Sequence, residues 1–215
     1  MRVWIAIFVS LILGSAGFGA VTPTAAVTSN EGPAYIAPNA PIHLVTDEEN
    51  LVYAAFLTQA WNKVDGSAPL AREMMLLEND SLDNWQPARR AWEKYLLKRV
   101  RGQGRAADEA HIAFLNRPVQ VVRFYSFPAQ ILSVRLLRSD ILNKVLQTKG
   151  WDGYYETYPK TQGILSLTTI AFGANHSEAV FGARLQCGKR CGYRDIIFMR
   201  RVNNVWTLIM KDALP

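Results

Sequence analysis

Three groups of residues in this 215-residue chain have types and spacings suited to chemistry. The first is its only cysteine pair, in Cys187-Gly188-Lys189-Arg190-Cys191. Thiols this close can form a disulfide, a redox couple or part of a metal site. A poised redox couple usually has the C-x-x-C spacing, whereas three residues separate this pair. A structural zinc site wants four ligands, and His43, His111 and His176 are too widely spaced to complete one. The pair therefore reads as a disulfide clamping a β-hairpin, with no metal and no cofactor implied. The second group is the aromatic segment Trp151-Asp152-Gly153-Tyr154-Tyr155-Glu156-Thr157-Tyr158. A carboxylate among rings can have a raised pKa and act as acid or base, and tyrosines can orient a ligand, so Tyr154, Glu156 and Tyr158 are candidate binding residues. The competing reading is an aromatic corner that locks a loop onto the core. The third group is a basic ridge: from Pro87 to Arg105 there are seven basic residues and one acid, Glu93. Arg90, Lys94 and Lys98 on that ridge could meet an anionic partner, or form an ordinary solvated helix face. Ser166 lacks the G-x-S-x-G turn that exposes a nucleophile and reads as a sheet residue. Asp195, close to Arg184, Arg194 and Arg200, reads as part of a surface ion pair.

The elements that must carry these groups follow from periodicity and punctuation. Thr46-Asp47-Glu48-Glu49 is a capping box. Tyr53, Phe56, Leu57, Ala60, Trp61 and Val64 follow at helical spacing and predict an amphipathic helix over 47–64. The segment from Glu73 to Leu77 fits a strand or a helical turn. Pro87 opens a second helix, and a third spans about 106–115. Strands are expected over 119–127 and 131–137, and then a short helix over 140–147 capped by Ser139. Four strands follow, over 164–172, 178–186, 193–201 and 205–211, joined by turns such as Asn203-Asn204. Pairing Cys187 with Cys191 places Leu185 opposite Tyr193 and Phe181 opposite Ile197. The fold class is α+β: N-terminal helices packed on a C-terminal antiparallel meander, in a single domain over residues 46–215.

At the N-terminus, Met1-Arg2 precedes an apolar run from Val3 to Leu13 and the small residues Gly14-Ser15-Ala16, the pattern of a secretory signal over about residues 1–20. The run is short for a bilayer span, so an uncleaved anchor is the alternative. Residues 21–45, rich in Thr, Ala, Pro and Asn, read as a linker. The chain is 49% hydrophobic and 20% charged with a net charge of +6, which fits a folded globular protein and excludes a disordered one. The modest excess charge favours an anionic surface or another exported protein as partner; no nucleic acid is expected, and a membrane enters only through the anchor.

The segment Gly150-Trp151-x-x-Tyr154-x-x-x-Tyr158-Pro159-x-x-x-Gly163-Ile164-Leu165-Ser166-Leu167, followed by Ile170-Ala171-Phe172, the glycine-flanked hairpin and Val205-Trp206, resembles a family of exported bacterial proteins of unknown function. The resemblance implies export and an α+β domain, and no activity. Together with the residue patterns it leads to the expectation of a periplasmic or secreted, non-enzymatic binding or accessory protein. A hydrolase-like enzyme centred on the Trp151 to Tyr158 segment is the alternative.

Overall fold

The computed structural model describes residues 41–61, 73–77, 79–81, 105–118, 120–124 and 134–213. The expected signal segment, most of the expected linker, and the helix after Pro87 with Arg90, Lys94 and Lys98 lie outside these residues.

Helix α1 (Asp47–Trp61) starts at its capping box. The Thr46 amide donates to Glu49 Oε2 at 2.9 Å and the Glu49 amide donates to Thr46 Oγ1 at 3.3 Å, so two helix-start donors are satisfied reciprocally. Tyr53, Phe56 and Leu57 are buried as their spacing requires, joined by Val52. Helix α2 (Arg105–Asn116) matches the third expected helix.

The strands are β1 (Ile42–Leu44), β2 (Glu73–Leu77), β3 (Asn79–Ser81), β4 (Val121–Arg123), β5 (Val134–Leu137), β6 (Thr161–Leu167), β7 (Ala171–Phe172), β8 (Glu178–Gly188), β9 (Cys191–Val202) and β10 (Val205–Ala213). Strands β6, β8, β9 and β10 pair antiparallel in the order β10-β9-β8-β6, the expected meander, with β7 also against β8. Beyond β6 the sheet continues through β2 and β5, both parallel to their neighbours. The segment that fitted either strand or helix is therefore a strand, placed beside β6. A small second sheet pairs β1 with β4 and β4 with β3. Among the described residues strand pairing begins at Ile42, inside the stretch read as linker.

Side chains alternate between the two faces of the large sheet. One face carries Leu165, Leu167, Ala179, Phe181, Ala183, Ile197, Met199 and Trp206, packed with Val52, Tyr53, Phe56 and Leu57 of α1. On the other, Val180, Ile196 and Phe198 pack with Ala110 and Phe114 of α2. The Tyr53 hydroxyl donates to the Thr168 carbonyl at 2.7 Å, which satisfies a buried polar group on the α1 side. Gln59 reaches the outer backbone of β10: its amide nitrogen donates to the Trp206 carbonyl and its Oε1 accepts from the Leu208 amide, each at 2.8 Å. That side chain occupies part of an edge that would otherwise invite another strand.

Helix α3 departs from expectation. It spans Ser139–Thr157, with a kink at Gly150 (φ 64°, ψ −161°), so the aromatic segment is helical and not a loop. Ser139 does not cap it; Arg138 holds the N-cap position without a side-chain capping bond, its guanidinium bonding Asp140 instead. Glycine tolerates the kink conformation, and beyond it Trp151, Tyr154, Tyr155 and Tyr158 stand at i, i+3, i+4 and i+7, a helical stripe.

Candidate functional site

Cys187 and Cys191 form a disulfide, with Cα atoms 5.0 Å apart. The register it closes is the expected one, with Leu185 opposite Tyr193 and Phe181 opposite Ile197. The second half of α3 packs beside this hairpin. Tyr155 donates its hydroxyl hydrogen bond to the Cys187 carbonyl at 3.1 Å, so the aromatic segment and the cysteine pair, 32 positions apart, form one structural unit. Close approach of β6 to the hairpin depends on Gly163 (φ 137°), where a β-carbon would lie 2.4 Å from the Gln186 carbonyl oxygen.

The three candidate residues of the aromatic segment go to different environments. Tyr154 is fully buried, in a cluster with Leu137, Leu142 and Ile164. Its hydroxyl donates to the Gly163 carbonyl at 3.2 Å and accepts from Thr161 Oγ1 at 3.3 Å. Burial pushes its pKa up, and the Thr161 bond only partly offsets this, so the phenol stays protonated. Tyr154 is accordingly a packing residue, which corrects its reading as a ligand contact. Tyr158 is half-buried with its ring 5.2 Å from that of Tyr154, and its amide closes the helix on the Tyr154 carbonyl. Glu156 is exposed. The kinked helix turns it away from the side that Tyr154 buries, so the carboxylate enclosed by rings is not formed. This unit presents to solvent the clamped tip, with Lys189, Arg190, Cys191 and Gly192 exposed, and also Asp152, Glu156, Thr157, Pro159 and Lys160.

Asp195 was expected on the surface among arginines. It is 2% exposed, and alternation turns it to the α1 face, away from its neighbour Arg194. There its carboxylate lies 3.2 Å from Lys211 Nζ, which also stands 4.4 Å from the centre of the Tyr193 ring. Burial, and then the Asp195 charge, raise the Tyr193 pKa. Ser166 is a buried sheet residue, as read from its context.

At the far end of β8 and β9 lies a polar network that sequence reading missed. Glu48 of α1 accepts from Arg201 at 2.7 Å and faces His176 Nδ1 at 3.0 Å. The His176 ring stacks on Phe172 with centroids 4.7 Å apart, and the Arg201 guanidinium covers Trp206 at 4.8 Å. Glu48 is 128 residues from His176 and 153 from Arg201, so no local pattern announces the network. Next to it, His43 Nε2 lies 2.9 Å from both oxygens of buried Glu49. Burial raises the Glu49 pKa, but the bonds from His43 and Thr46 outweigh it and hold the carboxyl below its ordinary value.

Among the described residues no group of three or more His, Cys, Asp or Glu side chains is placed to hold a metal ion. No described helix is long and apolar enough to cross a membrane. The disulfide is consistent with an exported protein. In comparisons with known proteins, the chain matches no family model, no curated protein and no solved structure.

Proposed function

We propose that this is an exported protein, periplasmic or secreted, that acts without catalysis as a binding or accessory protein and meets an anionic partner through the clamped hairpin tip. The observation that carries the reading is the exposure of Lys189 and Arg190 on a loop whose ends are joined covalently and whose base is tied to α3 by Tyr155. A rigid cationic tip loses little conformational entropy on contact, which favours its use as a recognition element. Export is supported by the disulfide and by the signal-like N-terminus. The binding reading is favoured over the hydrolase-like alternative by the burial of the Tyr154 phenol and the exposure of the Glu156 carboxylate.

The test is retention of the oxidised protein on a sulfated-glycan matrix. Wild type should be retained at low salt and released as salt rises, while the double reversal Lys189→Glu, Arg190→Glu should elute early with an unchanged circular dichroism spectrum. Equal retention of the folded variant would rule the tip out as the contact.

A further inference from the structure

The cationic tip does not stand alone. Tyr155, whose hydroxyl donates to the Cys187 carbonyl, sits at the base of the tip, and Trp151 stands one helical turn before it. Their rings lie 6.2 Å apart, centre to centre, with planes 33° from parallel. Both side chains pack on the cluster of Tyr154 and Ile164 yet stay half-buried, so each keeps part of its surface in water. Large aromatic side chains with one end apolar and the other wet are favoured at contact surfaces. Asp152 and Glu156 follow them by one position each and therefore come next around the helix, one turn apart and exposed. The unit thus carries the cations Lys189 and Arg190, the rings of Trp151 and Tyr155, and a pair of carboxylates. Among the described residues none of these charged side chains makes an ion pair. The disulfide, the Tyr155 bond and the packing on Tyr154 hold all these groups in fixed relation before any ligand arrives.

Carboxylates beside the cations are a poor match for a polymer that bears dense negative charge along its whole length, since the units laid past the tip meet like charge on the helix. A carbohydrate with spaced anionic groups fits every part of the surface. Its sulfate or carboxylate groups meet Lys189 and Arg190, the C–H face of a sugar ring covers Trp151 or Tyr155, and its hydroxyls donate to Asp152 and Glu156. We infer that the partner of the tip is an acidic polysaccharide, and that Trp151, Tyr155, Asp152 and Glu156 extend the tip into its binding surface. The inference rests on the tip being the recognition surface and names the chemical class of what it recognises.

The experiment is titration calorimetry of the oxidised full chain, at constant ionic strength, with a chondroitin sulfate oligosaccharide and with inorganic polyphosphate of equal total charge. The glycan should bind more tightly, by about tenfold or more. Asp152→Asn with Glu156→Gln should raise the polyphosphate affinity by about fivefold, because like charge is removed, while the glycan affinity stays equal or falls. Trp151→Ala should lower the glycan affinity by about tenfold and leave polyphosphate bound as before. Asp152 and Glu156 are exposed, so their variant stays folded and carries the test even where Trp151→Ala loosens the helix. Equal affinity of wild type for the two polymers, or an equal gain for both in the Asp152→Asn, Glu156→Gln variant, overturns the inference and leaves the tip reading in place. Unaltered glycan binding by the Lys189→Glu, Arg190→Glu variant, by contrast, overturns the tip reading itself and this inference with it.

Discussion

At one end of the β8–β9 hairpin the strands are joined by the Cys187–Cys191 bond and held against α3 by Tyr155; at the other, Glu48 reaches from α1 to His176 and Arg201. The first end is covalent and backed by the buried Tyr154 cluster, so salt and mild acid should leave it intact. The second depends on charges that are one-third to one-half exposed, whose attraction water and salt weaken. A long hairpin can thus be fixed by two kinds of physics, and the rigid end is the one that presents its cations to solvent.

The comparison is broken most severely by removing the packing behind the clamp. Tyr154→Ala should cost about 3–5 kcal/mol, the range for truncating a large buried aromatic, measured by urea denaturation. Glu156→Gln in the same helix should change stability by less than about 0.5 kcal/mol, as for other surface positions. A large effect of Glu156→Gln would restore a role for that carboxylate. Next in size is the clamp itself: Cys187→Ser with Cys191→Ser should lose about 2 kcal/mol, since so short a loop constrains the unfolded chain only modestly. The same variant should bind a sulfated glycan less tightly than the oxidised protein.

At the opposite end the effects are smaller and depend on solution conditions. Glu49 has a folded pKa below its ordinary value of 4.5, so the stability it contributes is complete above that pH and disappears as pH falls through the folded value. Buried Tyr53 and half-buried Arg117 also interact with its charge. Acid titration of the unfolding free energy should therefore fall less steeply in Glu49→Gln than in wild type. Smallest is Glu48→Gln, expected to cost up to about 1 kcal/mol at low ionic strength, with most of the loss gone in high salt. A salt-insensitive loss would mean that Glu48 acts through packing.

Much of this architecture was legible in the residues. The capping box at Thr46 and Glu49 and the stripe Tyr53, Phe56 and Leu57 specify α1 locally, and the cysteine pair sets the hairpin register. The parallel placement of β2 and β5 was not legible, because a short apolar run does not state its partner. The aromatic segment differs for a simpler reason: the expected helix stops at residue 147, yet Gly150 only kinks it and helical spacing resumes directly afterwards. Asp195 was misjudged because neighbours in sequence point to opposite faces of a strand, so nearness to Arg194 did not bring them together. The Glu48 network exists only once distant segments meet.

The central claim is that the clamped tip is the recognition surface, and a chemical-shift titration of the isotope-labelled, oxidised protein with a sulfated glycan tests it most directly. The account predicts shifts that saturate and fade with added salt, concentrated in residues 187–193 and in the adjoining residues 155–160. Shifts confined to other residues, such as Arg90, Lys94 and Lys98, with the tip unperturbed, would contradict it.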